Sequence, residues 1–270
     1  MRRVFLSNKF KKVIVHSGPF HADDALCVAM LRLWGNPDIE ICRLPKVEEE
    51  YPEDTIICDI GGKTDGAQWF DHHQLDYSEM STEEKQKNCR CAAELLFEAY
   101  GALDCKEIRN YLHEISMHDT GVRLCEVGWI YRDLQPAWDE SISMDEAFMK
   151  AVALAEQILK RKEELYHSRR AAEAEYGKAY QNKIGRTLIL DTFIPWQEYA
   201  TEDGDEVRRA IMTGREPGQC NLVVKRGRTL PEGWNPEGMV FIHAARFMAV
   251  FESKEAAINA AKSLDSDLSL

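Results

Sequence analysis

The sequence predicts an α/β fold: a mostly parallel sheet flanked by helices, then a long linking helix and a smaller C-terminal α+β domain. Three observations predict it. Short β-branched or wholly apolar runs alternate with a helical pattern up to Ile60. One helical pattern then runs from Ser143 to about Tyr180, and beyond Gly185 the chain turns to strands closed by a last helix. Short buried strands alternating with helices are the signature of parallel pairing, because the crossover helices cover both sheet faces.

Taken in order, "KVIVHSG" is a first strand ending at His16, with Gly18 as its break. In "HADDALCVAMLRLWG", Leu26, Met30 and Leu33 with Ala29 and Trp34 recur at helical spacing. Acids occupy its first turn and Gly35 marks its stop. "IEICRL" and "TIICDIGG" are two further strands, the latter apolar up to Asp59, and "AQWF" is a plausible fourth. "CAAELLFEAYG" is a helix closed by Gly101. "KEIRNYLHEISMHDTG" is another, with Ile108, Leu112 and Ile115 as its stripe and Gly121 at its end.

The long helix is apolar at Phe148, Val152, Ala155 and Leu159 and then becomes heavily charged, the pattern of a helix that leaves one domain and bridges to another. The expected domains are therefore 1–182 and 183–270, the second built from "RTLILD", "VRRAIMT", "CNLVVK", "MVFIHAARFMAVF" and the helix "SKEAAINAAKSL".

With 270 residues, 44% hydrophobic and 30% charged, the composition is globular. The net charge of −12 disfavours passive, counterion-driven binding to nucleic acid, so a phosphate substrate requires cations held locally. No C-x-x-C pair occurs among the eight cysteines. Cys27 and Cys58 lie in apolar runs as core residues, and Cys89 and Cys91 fall on opposite sides of any helix. Reduced thiols, a basic start too short for a targeting segment and no apolar stretch of spanning length point to a cytoplasmic protein without a membrane partner.

The chemistry gathers at element ends. His16 ends a strand; His21, Asp23 and Asp24 open the following helix; Asp59 ends another strand. Asp71, His72 and His73 follow "AQWF", and His118 and Asp119 close a helix. The carboxyl ends of parallel strands line the ligand crevice of such a sheet, so these segments can converge. Singly, each residue is an ordinary cap, turn or surface group; His113 and His167, on charged helix faces, stay so. Together they favour a metal site. Carboxylates and imidazoles without thiolates suit manganese, magnesium or iron. This many ligands suits two ions sharing one carboxylate, about 3.5–4 Å apart, clamping a phosphoryl displacement and lowering the pKa of a bridging water.

"HSGPFHADDAL", "CDIGG", "WFDHHQ" and "ISMHDTGV" resemble the motifs of the DHH phosphoesterase superfamily, and specifically the Myg-type exonuclease family, once labelled metal-dependent protein hydrolases. The likeness extends through "LQPAW", "FIPWQEY", "RTLPEGW" and "VFIHAARF". The resemblance implies a two-domain metalloenzyme that cleaves phosphoester bonds of RNA or DNA with two divalent ions, manganese first and magnesium or another ion next. It implies Asp59 as bridging ligand, His16 and His21 on one ion, and Asp23, His72 and Asp119 on the other. It implies that His73 faces the substrate phosphate and that Asp71 orients a neighbouring imidazole. Asp24 is a ligand, an outer acceptor or a helix N-terminal acid, and His118 an outer partner or ligand.

This sequence departs from the family pattern at Thr120, at Glu94 in "RCAAE", and at His243-Ala244-Ala245-Arg246-Phe247. The metal shell is intact while the stretches expected to meet substrate have changed. Three functions compete. The first is an exonuclease on short single-stranded RNA or DNA, with His243 or Arg246 gripping a distant phosphate and Trp196 or Trp234 stacking bases. An interior salt bridge for Arg246, and core positions for the tryptophans, are equally open. The second is a hydrolase of a small phosphorylated metabolite, pyrophosphate or a cyclic dinucleotide. The third is a non-catalytic, metal-stabilised binding module. No H-E-x-x-H or nucleophile elbow supports protein hydrolysis, and a homo-oligomer is compatible with the chain.

Overall fold

A computed structural model describes residues 9–100, 105–201 and 204–266. The expected stop at Gly101 and the basic stretch before Lys9 lie outside them. The chain divides into two compact units, Met1–Tyr166 and His167–Leu270.

The first unit carries a sheet of four strands in the order β2-β1-β3-β4, formed by β1 (Lys12–His16), β2 (Glu40–Leu44), β3 (Thr55–Cys58) and β4 (Trp69–Phe70). Every pairing is parallel; Val13 sits opposite Ile41 on one side and Ile56 on the other. Side chains alternate between faces along a strand, and both faces are covered. Val13, Val15, Ile56 and Cys58 join the main core with Leu26 and Met30 of α1 (Ala22–Trp34). Ile14, Ile57 and Trp69 form a smaller cluster on the opposite face. Burial on both sides is why these strands read as continuous apolar runs.

Helix α1 ends at Gly35, whose N–H donates to the Leu31 carbonyl. The other helices of this unit are α2 (Thr82–Asn88), α3 (Ala92–Tyr100), α4 (Lys106–Asp119) and α5 (Glu126–Arg132). Helices α2 and α5 were not expected: at seven residues each they are too short to show a periodic stripe. For α2 a local signal did exist, the capping box in which Ser81 and Glu84 satisfy each other's backbone N–H. Cys27, Cys58, Cys89, Cys91 and Cys105 are all buried, free thiols. Cys89 and Cys91 flank the junction between α2 and α3 and do not sit within one helix.

Helix α6 (Met144–Gln181) contributes to two cores in turn. Its first half buries Phe148, Val152, Ala155 and Leu159 in the first unit. Its second half contributes Ala172, Tyr176 and Ala179 to a core of the second unit. Among the described residues no helix is long and apolar enough to cross a membrane.

The second unit holds a five-stranded mixed sheet ordered β5-β6-β7-β9-β8, with β5 (Thr187–Leu190), β6 (Arg209–Thr213), β7 (Cys220–Val224), β8 (Met239–Ile242) and β9 (Met248–Phe251). The β5–β6 pair is parallel and the remaining pairs are antiparallel. One face packs α8 (Lys254–Ser266) through Ala257, Ala260 and Leu264. The other packs against Ile194 and Trp196, the latter opening the single-turn α7 (Trp196–Tyr199). The run "MVFIHAARFMAVF" is two strands joined by a turn, where the sequence suggested one. Arg246 takes a left-handed backbone (φ 55°) and its N–H donates to the His243 carbonyl at 2.7 Å, which reverses the chain.

Candidate metal centre

The conserved geometry of a parallel sheet places the polar residues together at its carboxyl edge. His16 is the last residue of β1, and His21 caps the N-terminus of α1 with Asp23 and Asp24 in the first turn. Asp59 follows β3 directly; Asp71, His72 and His73 follow β4; Asp119 is the last residue of α4. Their ligand atoms form three groups, each with all atoms within 4.8 Å of one another: His16, His21 and Asp59; His21, Asp23 and Asp119; and Asp59 with Asp71, His72 and His73. Asp59 and His21 each belong to two groups.

Asp59 adopts φ 56°, a left-handed conformation uncommon for a residue with a side chain. Such backbone conformations persist where the surroundings over-determine them, commonly at functional sites. Here the Asp59 N–H donates to the Phe70 carbonyl at 2.8 Å, fixing the turn that leaves β3. The Asp59 carboxylate lies 3.3 Å from His16 Nε2 and 3.4 Å from His72 Nδ1. His72 Nε2 lies 2.9 Å from Asp119, and His21 Nδ1 lies 3.4 Å from the same carboxylate.

Asp24 has two partners. One oxygen accepts from the backbone N–H of His21 and Ala25, closing the helix start, and the other lies 3.1 Å from His16 Nε2. Asp71 is satisfied by protein donors: Gly62 N–H at 2.6 Å, His73 N–H at 3.1 Å, and His73 Nδ1 at 2.6 Å. That last contact places the His73 proton on Nδ1 and leaves Nε2 as a free acceptor on a half-exposed ring stacked on His72 at 4.5 Å.

The carboxylates of Asp23 and Asp59 are different. Both residues are buried (0% and 1% exposed), and neither oxygen of either one accepts a hydrogen bond. Among the described residues only imidazoles stand near them as possible donors, His16 and His72 beside Asp59 and His72 3.8 Å from Asp23. Buried carboxylates without hydrogen-bond donors are costly, and a divalent cation would relieve them. The donor set is oxygen and nitrogen. The Cys91 thiol nearby is held protonated, first by burial and then by the charges of Asp23 and Asp119. The residues present therefore fit hard to borderline divalent ions.

Without cations, protons take up part of that charge. Burial raises the Asp23 pKa, and Asp119, Asp59 and Asp24 raise it further. Burial opposes a charged His16, but Asp24 and Asp59 outweigh it and hold its pKa up at about 10. Burial likewise opposes a charged His72, and Asp119 and Asp59 overcome it. Asp119 moves down despite its burial, because His72 and His21 face it.

His118 joins none of the three groups. Its Nδ1 accepts the Cys125 N–H at 3.0 Å and its ring meets Trp129 edge-on at 5.5 Å. Gly128 makes this position possible, since a Cβ there would lie 2.3 Å from the His118 ring. Gly128→Ala should therefore lower stability by about 1–3 kcal/mol through overpacking, despite alanine's better helix propensity. A thermal melt showing a gain would mean the His118 ring does not occupy that space.

Glu94, one of the departures from the family pattern, is buried and internal, accepting from Ser116 Oγ and pairing with His113 at 3.3 Å. It braces α3 against α4. His243 and Arg246 lie in the second unit, at the β8–β9 turn. The His243 ring packs on Phe247 at 4.2 Å; Arg246 Nε donates to the Leu230 carbonyl at 2.8 Å while Nη2 is buried without a partner. Arg246 forms no ion pair among the described residues, so the interior salt bridge left open for it is absent there. Trp196 is buried in its core and Trp234 packs on Phe251 at 6.0 Å, so both tryptophans serve packing.

Sequence reasoning missed one wall of the site. A cavity of about 420 Å³ is lined by His21 and Asp119 of the cluster together with His118, Gly128, Arg132 and Gln135. Of these, Gly128 and Arg132 sit on α5 and Gln135 after it, where the only local signal was the stretch "LQPAW".

Comparison with known proteins agrees with this architecture. A family model described as "Uncharacterised protein family (UPF0160)", MYG1_exonuc, matches residues 12–120, the segment that supplies every member of the His/Asp cluster. A MYG1 protein of Saccharomyces cerevisiae is 26% identical over 97% of this chain and 98% of its own length. Over nearly its whole length the chain is thus similar to MYG1 proteins. Also similar to it are a MYG1 protein of Chlamydia muridarum, 24% identical over 91% of this chain and 93% of that one, and the human MYG1 exonuclease, 25% identical over 93% and 85%.

Proposed function

We propose that this protein is a divalent-metal-dependent phosphodiesterase of the DHH type, acting as an exonuclease on short single-stranded RNA or DNA. One observation carries the reading: among the described residues the buried carboxylates of Asp23 and Asp59 accept no hydrogen bond and lie amid His16, His21 and His72, at the carboxyl edge of the sheet. The name of the human relative, an exonuclease, supports it.

In this reading Asp59 would serve two ions, manganese first among candidates, with His16 and His21 holding one and Asp23, His72 and Asp119 the other; His21 also stands with Asp23 and Asp119. Bound there, the ions would supply Lewis-acid polarisation of a phosphoryl oxygen and a water made nucleophilic at neutral pH. Asp71 accepts from His73 Nδ1 and so orients the ring toward a substrate phosphate. Asp24 holds His16 and closes the helix start at once, keeping the two histidines of one group in register. In the second unit, His243 and Arg246 at the β8–β9 turn are the candidates to meet a more distant phosphate.

The net charge of −12 favours one competing substrate class, a small phosphorylated metabolite, pyrophosphate or cyclic dinucleotide. End-labelled single-stranded RNA incubated with manganese and run on a sequencing gel separates the two. A ladder shortening one nucleotide at a time, abolished by chelator, is the expected result. An intact oligonucleotide alongside hydrolysis of a small phosphoester would overturn the polymer reading.

A further inference from the structure

The cavity beside the metal centre carries a cation that no part of the cluster uses. Arg132 ends α5 and lines this cavity with His21 and Asp119. Its guanidinium carbon lies 4.8 Å from the Trp129 ring centroid, and among the described residues it makes no ion pair and no side-chain hydrogen bond. Arg132 is exposed, so its donors are open to a ligand, and it shares the cavity with Asp119 and His21.

The arginine is also braced. Stacking on an aromatic face fixes the guanidinium plane without consuming any of its five N–H donors. Trp129 is in turn met edge-on by His118, and His118 is pinned by the Cys125 N–H and by the gap at Gly128. Gln135 Nε2 donates to the Phe20 carbonyl at 2.6 Å, tying the segment after α5 to the turn that delivers His21. The distance from Arg132 to the cluster is thereby set by packing.

We propose that Arg132 receives a substrate phosphate next to the scissile one, and that the cavity it lines holds the flanking nucleotide. The proposal rests on the phosphodiesterase reading and extends it: a strand with consecutive phosphates is preferred over an isolated diester. A planar fork of donors suits a phosphate bidentately, and a volume of about 420 Å³ suits one nucleotide.

The test compares wild type, Arg132→Ala and Arg132→Lys, all with manganese, on a 5′-phosphorylated RNA pentanucleotide and on bis(p-nitrophenyl) phosphate, a diester with no neighbouring phosphate. Arg132→Ala should lose about 10- to 100-fold in kcat/KM on the RNA, the range for a hydrogen bond to a charged group, mainly through KM. The loss on the isolated diester should be at least tenfold smaller. The salt dependence of log kcat/KM on RNA should become shallower by about 0.7, the contribution of one phosphate contact on a single strand. Arg132→Lys keeps the charge over Trp129 and should recover part of the loss, which covers the case in which the alanine variant folds poorly.

Equal losses on both substrates would make Arg132 a structural residue and overturn the proposal, as would an unchanged rate on RNA. A wild-type protein inert on both substrates would instead overturn the phosphodiesterase reading, and this proposal with it.

Discussion

Asp59→Asn lowers the metal-dependent rate by about a thousandfold or more, because it removes the one carboxylate that two ligand groups share. Asparagine is the appropriate replacement on physical grounds. Asp59 sits at φ 56°, and asparagine tolerates the left-handed region better than other uncharged residues with a side chain. Its volume matches in a position 1% exposed, and its N–H at the backbone still reaches the Phe70 carbonyl. The substitution therefore removes a charge and leaves the turn. Titration calorimetry with manganese should show fewer bound ions or a collapse of affinity, alongside the lost activity. A variant that keeps more than a tenth of the wild-type rate would show that Asp59 is not shared between ions.

Asp23→Asn has effects of opposite sign with and without metal. In the metal-free protein Asp23 is fully buried, its oxygens have no donor, and Asp119, Asp59 and Asp24 face it. A carboxyl group whose folded pKa is raised above its unfolded value stabilises the fold at low pH, and that stability is lost as pH rises past the unfolded value of about 4. The metal-free wild type should accordingly weaken as the pH rises above about 4. Replacing the carboxyl with a neutral amide should raise metal-free stability at neutral pH by about 1–3 kcal/mol, since the cost of burying or protonating that carboxylate is removed. The same substitution should abolish most of the stabilisation that manganese confers, because binding free energy adds to folding free energy. Thermal melts at pH 5 and pH 8, with chelator and with excess manganese, measure all four values. If Asp23→Asn destabilised the metal-free protein, the carboxylate would be held by interactions other than a cation.

The parallel sheet was readable because its strands are buried on both faces, so Val13 to Val15 and Ile56 to Cys58 appear as continuous apolar runs. Helix α6 was readable because its first half keeps Phe148, Val152, Ala155 and Leu159 in phase. Helix α5 was not, and neither was the β8–β9 turn. Two turns of helix carry too little periodicity, and "MVFIHAARFMAVF" stays apolar on both sides of a turn made by backbone conformation at Arg246. The two tryptophans considered for stacking, Trp196 and Trp234, look the same in sequence as Trp129, yet two pack in cores and the third stands at the cavity with Arg132 above it.

By itself, the sequence determined the inventory of donors and where each would be delivered. His16, His21, Asp23, Asp59, the Asp71–His73 run and Asp119 all sit at ends of elements whose periodicity is local, and local periodicity is legible in a chain. Only the tertiary structure decided how those donors are used: that Asp71 is spent on His73, that Asp24 divides itself between a helix start and His16, and that Asp23 and Asp59 accept no hydrogen bond among the described residues. It also decided that Arg132 stands unpaired beside them. Each of these is a contact, or a missing one, between side chains that burial and packing bring together from distant segments, and no spacing along the chain encodes it.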